Sequence, residues 1–233
     1  MRIYLANHSS LELGYLQGKY GQIGWLLSPQ SYGVTKQRDF MPMAFDNDAY
    51  SAYQNQTEWD ESAWYAMLDK MEKDKVKPEW VLCPDVVGSK RRTLENFFVY
   101  REAISRRGWP VAMAVQDGMV PQDVPCTVDV IFVGGSTAFK WKSLPMWVGA
   151  FSRVHVGRVN SLEKLEVCRR LQDEFGSLES IDGTYWFRFR KPEEYLKDLE
   201  SFFKNEPKPQ LELFKEYKLT TEGVNHERAS VTT

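Results

Sequence analysis

Cysteine, histidine and long apolar runs are scarce in this chain of 233 residues, and each scarcity disfavours a class of protein. The three cysteines (Cys83, Cys126 and Cys168) are widely separated, form no CxxC pair and share no metal-ligand spacing with the three histidines. This argues against a disulfide framework and a structural zinc site, and we expect neither a metal ion nor a cofactor. Reduced thiols in a cytoplasmic protein are the expectation. No segment approaches the roughly 18 apolar residues of a membrane span, and the N-terminus lacks a signal-peptide pattern.

An excess of charge of one sign is also lacking. Thirty Lys and Arg residues stand against 32 Asp and Glu, which gives a formal net charge of -2. This balance argues against a protein that coats nucleic acid through bulk positive charge, but it allows a local basic groove. Neither GxGxxG nor GxxxxGK[ST] occurs, so a dinucleotide fold and a phosphate loop are not indicated.

Short apolar runs alternate with helical patterns along the chain, as is typical of parallel βαβ units. The predicted strands cover residues 2–6, 25–28, 43–46, 80–84, 111–115, 128–133, 153–156 and 178–181, and the predicted helices cover residues 58–73, 90–107, 162–175 and 193–203. The strand count favours an α/β fold with a single (β/α)8 TIM-like barrel that has irregular or missing elements. We expect this barrel over residues 1–204 and a polar, partly disordered extension over 205–233.

Polar residues and glycines stand at or just after the predicted strands. They are Asp46, Asp85, Gln116, Gly134, Gly135, His155 and Asp182. The carboxyl ends of barrel strands open on one face, where the chemistry of such barrels lies. Carboxylates that converge there repel one another, so their joint presence indicates a functional site. Singly, each has a structural alternative: Asp85 as a helix N-cap, the glycine pair as a turn, and His155 as a buried histidine bonded to backbone.

The order of these motifs resembles that of the tRNA-guanine transglycosylase superfamily, and most closely its short branch of 7-deazaguanine DNA transglycosylases from phages and bacterial islands. The Asp-Ser-Gly-Gly-Phe motif of the family is similar to residues 46–50 here, and its second aspartate is similar to Asp85. Its Val-Gln-Gly-Gly motif is similar to residues 115–118, and its Gly-Gly turn to residues 134–135. The nucleophile motif is similar to residues 177–182, although Asp48 and Asp117 replace family glycines.

The resemblance implies base exchange, in which guanine leaves a nucleotide and a 7-deazaguanine base of the preQ0 or preQ1 type enters. Asp182 would be the nucleophile that forms a covalent aspartyl–sugar intermediate, and Asp46 would be the general base. The residues expected to bind the base are Asn47, Tyr50, Asp85, Gln116, Gly134, Gly135 and His155.

The zinc site and the C-terminal RNA-binding domain of the tRNA enzymes have no counterpart in the sequence, which favours guanine-containing DNA over tRNA as the partner. No membrane partner is expected, and the protein would act as a monomer or a homodimer. The basic residues expected to bind phosphates are Arg153, Arg158, Arg188, Arg190 and Lys191. Tyr50, Tyr185 and Trp186 are candidates to stack on a flipped base.

Three alternatives stay open at this point. The same chemistry would suit an enzyme that acts on tRNA. A barrel that binds a nucleobase or nucleic acid without catalysis would keep the same fold. A small hydrolase with the same carboxylates would release free base and insert nothing in its place.

Overall fold

A computed structural model describes residues 1–6, 11–33, 41–183 and 192–204, and in it eight parallel strands close into a barrel in chain order. The strands are β1 (Arg2–Ala6), β2 (Ile23–Leu27), β3 (Met43–Phe45), β4 (Trp80–Leu82), β5 (Val111–Val115), β6 (Val130–Val133), β7 (Val154–Val156) and β8 (Leu178–Asp182). The closing pair joins β1 to β8 and sets Tyr4 beside Asp182. The predicted (β/α)8 barrel is therefore confirmed.

Helices fill most of the connections between the strands. They are α1 (Leu11–Tyr20), α2 (Pro29–Tyr32), α3 (Ala49–Asn55), α4 (Glu61–Lys73), α5 (Lys90–Ser105), α6 (Thr137–Ala150), α7 (Leu162–Phe175) and α8 (Pro192–Phe203). The four predicted helices correspond to α4, α5, α7 and α8. The sequence pattern did not reveal the other four, because α2 and α3 are short, α1 contains two glycines and α6 contains Pro145.

The connection between β5 and β6 is the irregular one, since it holds only a 3-10 helix over Pro121–Asp123. The helical layer closes where α1 meets α8, because Lys19 and Tyr20 both bond to Glu200, at 2.8 and 3.1 Å. Among the described residues, no helix is long and apolar enough to cross a membrane.

Two apolar clusters form the core, as the alternation of side chains along each strand requires. The larger cluster lies between the strands and the surrounding helices. The smaller cluster fills the barrel itself, with Tyr4 and Trp80 packed edge to face at 5.7 Å between ring centroids. A β-carbon at Gly24 would lie 2.6 Å from the Tyr4 ring, so this strand must carry glycine where the tyrosine crosses it. The two large rings pack against each other in the interior of the barrel.

Candidate active site

A pocket opens at the carboxyl ends of the strands, with a cavity volume of about 70 Å³. Its wall comes from residues that follow or end β3 to β8. The lining residues are Asp46, Asn47, Tyr50, Leu82, Asp85, Val87, Ala114, Gln116, Phe132, Gly134, Gly135, Arg158 and Asp182. The structure thus brings together three carboxylates that are far apart in sequence, Asp46, Asp85 and Asp182.

Asp46 follows β3 and lies in a turn that its own side chain stabilises. Its Oδ1 accepts hydrogen bonds from the backbone N–H groups of Asn47, at 2.6 Å, and Asp48, at 3.2 Å. Removal from bulk water raises the pKa of Asp46 to about 7, and the negative charges of Asp182, Asp48 and Asp85 add to the increase. A carboxyl group with such a pKa can both release and accept a proton near neutrality.

Asp182 ends β8 and is held by one donor on each carboxylate oxygen. Its Oδ1 accepts the backbone N–H of Arg158 at 3.0 Å, and its Oδ2 lies 2.9 Å from Nε2 of His155. Only 8% of the residue is exposed, on the side that lines the pocket. The carboxylate is therefore fixed in orientation while one face remains accessible from the pocket.

Asp85 lies on the pocket wall and does not cap the following helix. Ser89 is the N-cap of α5, since its hydroxyl accepts the N–H of Arg92. The two oxygens of Asp85 instead accept from the side-chain amides of Asn47, at 2.8 Å, and Gln116, at 2.7 Å. Burial raises the pKa of Asp85. The N-cap alternative is wrong, and Asp85 is a polar group presented to the pocket.

Asn47 and Gln116 support Asp85 to different degrees. The two hydrogens of Asn47 Nδ2 are donated to Asp85 and to the carbonyl of Cys83, at 2.9 Å, while Oδ1 accepts the N–H of Ala49 at 2.8 Å. Asn47 therefore positions Asp85; it also lines the pocket, and its direct binding of the base stays a prediction. Gln116 accepts the N–H of Gly88 at Oε1, 3.0 Å away, which directs Nε2 towards Asp85 and leaves one N–H for a ligand.

The glycine pair after β6 forms a turn that Asp117 holds in place. Asp117 accepts from the backbone N–H of Ser136 at 2.7 Å and from its hydroxyl at 2.5 Å. Gly135 has a φ of +70°, and a β-carbon there would lie 2.7 Å from Asp117 Oδ2. Gly134 donates its N–H to the carbonyl of Val115 at 3.3 Å and also lines the pocket, so its contact with a base stays a prediction.

Arg158 and Tyr50 cross the mouth of the pocket. The guanidinium carbon of Arg158 lies 4.2 Å from the centroid of the Tyr50 ring, and one of its terminal nitrogens donates to the carbonyl of Gly135 at 2.6 Å. Arg158 has a φ of +58°, a conformation that is uncommon for a residue with a side chain. Both residues line the pocket together with the carboxylates, and their contacts with a base and a phosphate stay predictions.

Two of the expected site residues lie elsewhere. His155 is fully buried inside the barrel behind Asp182, so its expected contact with substrate is wrong. Arg153 precedes β7, at the amino-terminal face of the barrel, where it forms an ion pair with Glu179 at 2.7 Å and donates to the carbonyl of Glu79. Its expected place among the phosphate-binding residues is wrong because it stands at the opposite end of the strand from Arg158.

Arg188, Arg190 and Lys191, together with Tyr185, Trp186 and the extension over 205–233, lie outside the described residues. Two buried residues near the site escaped the sequence analysis. Ser180 bonds to His155, and its position two residues before Asp182 on the same strand was the signal for it. Lys140 donates from Nζ to the carbonyl of Gly157, and burial lowers the pKa of Lys140 to about 8. Lysines in helices are usually exposed, so no signal in the sequence indicated that Lys140 is buried.

Comparisons with known proteins identify no family. No family profile matches the chain, and no curated protein matches it significantly. Among solved structures, RipC from Yersinia pestis is 8% identical and has a TM-score of 0.43, with 90% of this chain and 96% of that chain covered. Within the described part of the chain, no group of three or more His, Cys, Asp or Glu side chains is arranged to hold a metal ion.

Proposed function

We propose that this protein is a pentosyltransferase that replaces guanine in DNA with a 7-deazaguanine base through a covalent aspartyl–sugar intermediate. The proposal rests on one observation, that Asp46 and Asp182 line the same pocket in unlike surroundings. Two carboxyl groups with different environments can divide the roles of proton transfer and nucleophilic attack.

In the first half of the reaction, a carboxylate oxygen of Asp182 attacks C1′ of the target nucleotide. The bond between C1′ and N9 breaks, its electron pair passes to guanine, and protonated Asp46 donates a proton to the departing base. The sugar is left as an ester of Asp182. A pKa of about 7 makes the protonated form of Asp46 well populated at neutral pH.

In the second half, Asp46 is a carboxylate and takes the N9 proton of the incoming 7-deazaguanine. N9 then attacks C1′ from the face that guanine left, and Asp182 departs as a carboxylate. Both enzyme groups return to their initial protonation states. The exchange needs no metal ion or oxidant for its atoms and electrons to balance.

Recognition of guanine would come from the polar wall of the pocket. Asp85 accepts the N1–H and the 2-amino group, which adenine lacks at these positions, while the free N–H of Gln116 and the N–H of Gly135 donate to O6. Each such buried contact contributes about 1–3 kcal/mol of discrimination. Tyr50 stacks on the flipped base, and the guanidinium of Arg158 moves from the Tyr50 ring to contact a backbone phosphate.

The decisive experiment traps the intermediate. Guanine-containing DNA labelled at its 5′ end is incubated with the protein and run on a denaturing gel, and we expect a retarded adduct that the Asp182→Ala variant does not form. Asp173→Ala, which removes an exposed carboxylate from α7, is the matched control and should form the adduct normally. An adduct with Asp182→Ala would refute the assignment of the nucleophile.

A second experiment identifies which nucleic acid accepts the base and which reaction the protein catalyses. Radiolabelled guanine or a preQ base is supplied with either DNA or tRNA, and we expect label to enter DNA. Label in tRNA alone would show that the substrate is RNA and not DNA. Release of guanine without incorporation would indicate a hydrolase, and binding without either reaction would indicate a silent nucleobase-binding barrel.

A further inference from the structure

A chain of three polar side chains runs through the interior of the barrel behind the pocket. Ser180 Oγ lies 2.9 Å from Nδ1 of His155, and Nε2 of His155 lies 2.9 Å from Oδ2 of Asp182. The pairing of β7 with β8 sets His155 beside Ser180, and Asp182 is the next residue of β8 on the same face. Ser180 also lines a second pocket at the amino-terminal face, so the chain connects the two ends of the barrel.

The surroundings of His155 are aromatic. Its ring lies 4.7 Å from the Phe132 ring, 4.8 Å from Trp80 and 5.9 Å from Tyr4, measured between centroids, and the residue has no exposed surface. Packing alone would be served by another aromatic side chain at this position. Packing therefore does not explain the two polar ring nitrogens. Buried polar atoms are normally hydrogen-bonded, and each of these nitrogens has one partner.

The partners determine where the proton of the imidazole lies. The carboxylate of Asp182 can only accept hydrogen bonds, so Nε2 must carry a hydrogen to bond with it. In a neutral imidazole Nδ1 is then an acceptor, and the hydroxyl of Ser180, which can either donate or accept, donates to it. The carboxylate of Asp182 therefore selects the tautomer, and Ser180 satisfies the second ring nitrogen.

We propose that His155 is a positioning residue for the nucleophile, with Ser180 as the partner of its second ring nitrogen. The N–H of His155 on Oδ2 and the backbone N–H of Arg158 on Oδ1 fix the plane of the Asp182 carboxylate from two sides. This inference rests on the proposed role of Asp182 as nucleophile. Its consequence is a rate advantage in attack on C1′, because small displacements of a reacting group cost large factors in rate.

The tautomer can be measured without any substrate. The full-length protein, labelled with 15N-histidine, contains only three histidines, and His155→Gln identifies the signals of His155 in long-range 15N–1H spectra. At pH 8 we expect the Nε2–H tautomer in the wild-type protein. A predominant Nδ1–H tautomer would overturn the proposal, because the nitrogen that faces Asp182 would then have no hydrogen to donate.

The rate effect is tested with a matched pair of variants. His155→Phe keeps an aromatic ring against Phe132 and Trp80 but removes both nitrogens, whereas His155→Gln retains an N–H donor. In single-turnover adduct formation we expect His155→Phe to be about 100-fold slower than wild type, with KM for the DNA changed less than about threefold. His155→Gln should recover about tenfold of the loss, and Ser180→Ala should lie between wild type and His155→Phe.

Full activity of His155→Phe, or no recovery with His155→Gln, would overturn the proposal, provided that circular dichroism shows both proteins folded. If His155→Phe does not fold, the rate of Ser180→Ala and the tautomer measurement decide. A wild-type protein that forms no adduct on any nucleic acid would refute the proposed function. The 15N spectra would still decide whether His155 presents its N–H to Asp182.

Discussion

The guanidinium of Arg158 packs over the ring of Tyr50, 4.2 Å from its centroid, so that a positive charge lies on a pocket lined by three carboxylates. The contact joins a residue of the turn after β7 to one from α3. Because Arg158 bonds to Asp182 through its backbone N–H, its side chain can leave Tyr50 without disturbing that bond. The side chain of Arg158 contacts Tyr50 and the carbonyl of Gly135, while its main chain holds Asp182.

Loss of the Arg158 side chain should weaken DNA binding and make the binding affinity less dependent on salt. We expect Arg158→Ala to reduce the slope of log affinity against log salt by about 1, as for the loss of one phosphate contact. Fluorescence anisotropy of a labelled oligonucleotide at several salt concentrations measures this slope. Arg153→Ala, at the opposite face of the barrel, is the control, and equal effects of the two variants would contradict the assignment.

Replacement of Asp46 by asparagine should stabilise the protein while it blocks exchange. The folded-state pKa of about 7 is raised above the unfolded value of about 4, so the native state binds the extra proton between these values. The stability that this carboxyl group contributes is present below pH 4 and is lost as the pH rises through 7. We expect Asp46→Asn to be more stable than wild type by about 1–3 kcal/mol at pH 8, by urea denaturation.

The gain from Asp46→Asn should shrink towards zero as the pH falls to 4. Asp173→Asn, which changes an exposed carboxylate, should show no such dependence. A stability difference between Asp46→Asn and wild type that is the same at pH 4 and pH 8 would show that removal of the charge is not its cause.

The second half of the exchange should become faster as the pH rises towards 7. Attack by the incoming base requires ionised Asp46, and the fraction ionised falls about tenfold per pH unit below the pKa. Burial is the main cause that raises the pKa of Asp46 in the free protein, followed by the charges of Asp182, Asp48 and Asp85. In the adduct Asp182 is an uncharged ester, so we expect the midpoint of the rate profile to lie below 7. The measurement is the rate at which free base discharges a preformed adduct between pH 5.5 and 8. Asp46→Asn should be slow at every pH, and a wild-type rate that does not vary with pH would exclude Asp46 as the base.

Gly157 should not tolerate a side chain. A β-carbon there would lie 2.7 Å from the Phe132 ring and 3.4 Å from Oδ2 of Asp182. We expect Gly157→Ala to lower the free energy of unfolding by about 1–3 kcal/mol, as overpacking does, and to slow adduct formation. Gly33→Ala is the control, since that glycine is exposed, has a φ of −71° and has open space around it. Normal adduct formation by Gly157→Ala would show that the backbone there adjusts without moving Asp182.

Much of the scaffold was predictable from local patterns. The helix over 162–175 has Ser161 as N-cap and a C-cap glycine with φ +72°, and the bounds of this helix match the prediction. The strands over 2–6 and 111–115 also match, because their apolar runs end abruptly in polar or glycine-containing segments. By contrast, α6 escaped prediction, since a proline inside a helix is read as a break.

The candidate site was predictable only in part. The carboxylates Asp46, Asp85 and Asp182 meet because parallel strands bring their carboxyl ends to one face, and this follows from the order of the elements. The roles of Asn47 and His155 did not follow, since each depends on which atoms lie within hydrogen-bond distance across the barrel. Their positions close to the predicted site motifs in sequence made them candidates for contact with substrate. In the structure, Asn47 bonds to Asp85 and His155 bonds to Asp182.

The sequence by itself determined the alternation of strands and helices, the closed parallel barrel and the convergence of three carboxylates on one face. These follow from side-chain periodicity and chain direction, which are local properties. Only the tertiary structure decided the partners of two arginines that flank one strand, Glu179 for Arg153 and the carbonyl of Gly135 for Arg158. It alone joined Ser180, His155 and Asp182 into one hydrogen-bonded chain, because strand register and packing across the barrel, not neighbours in sequence, set those distances.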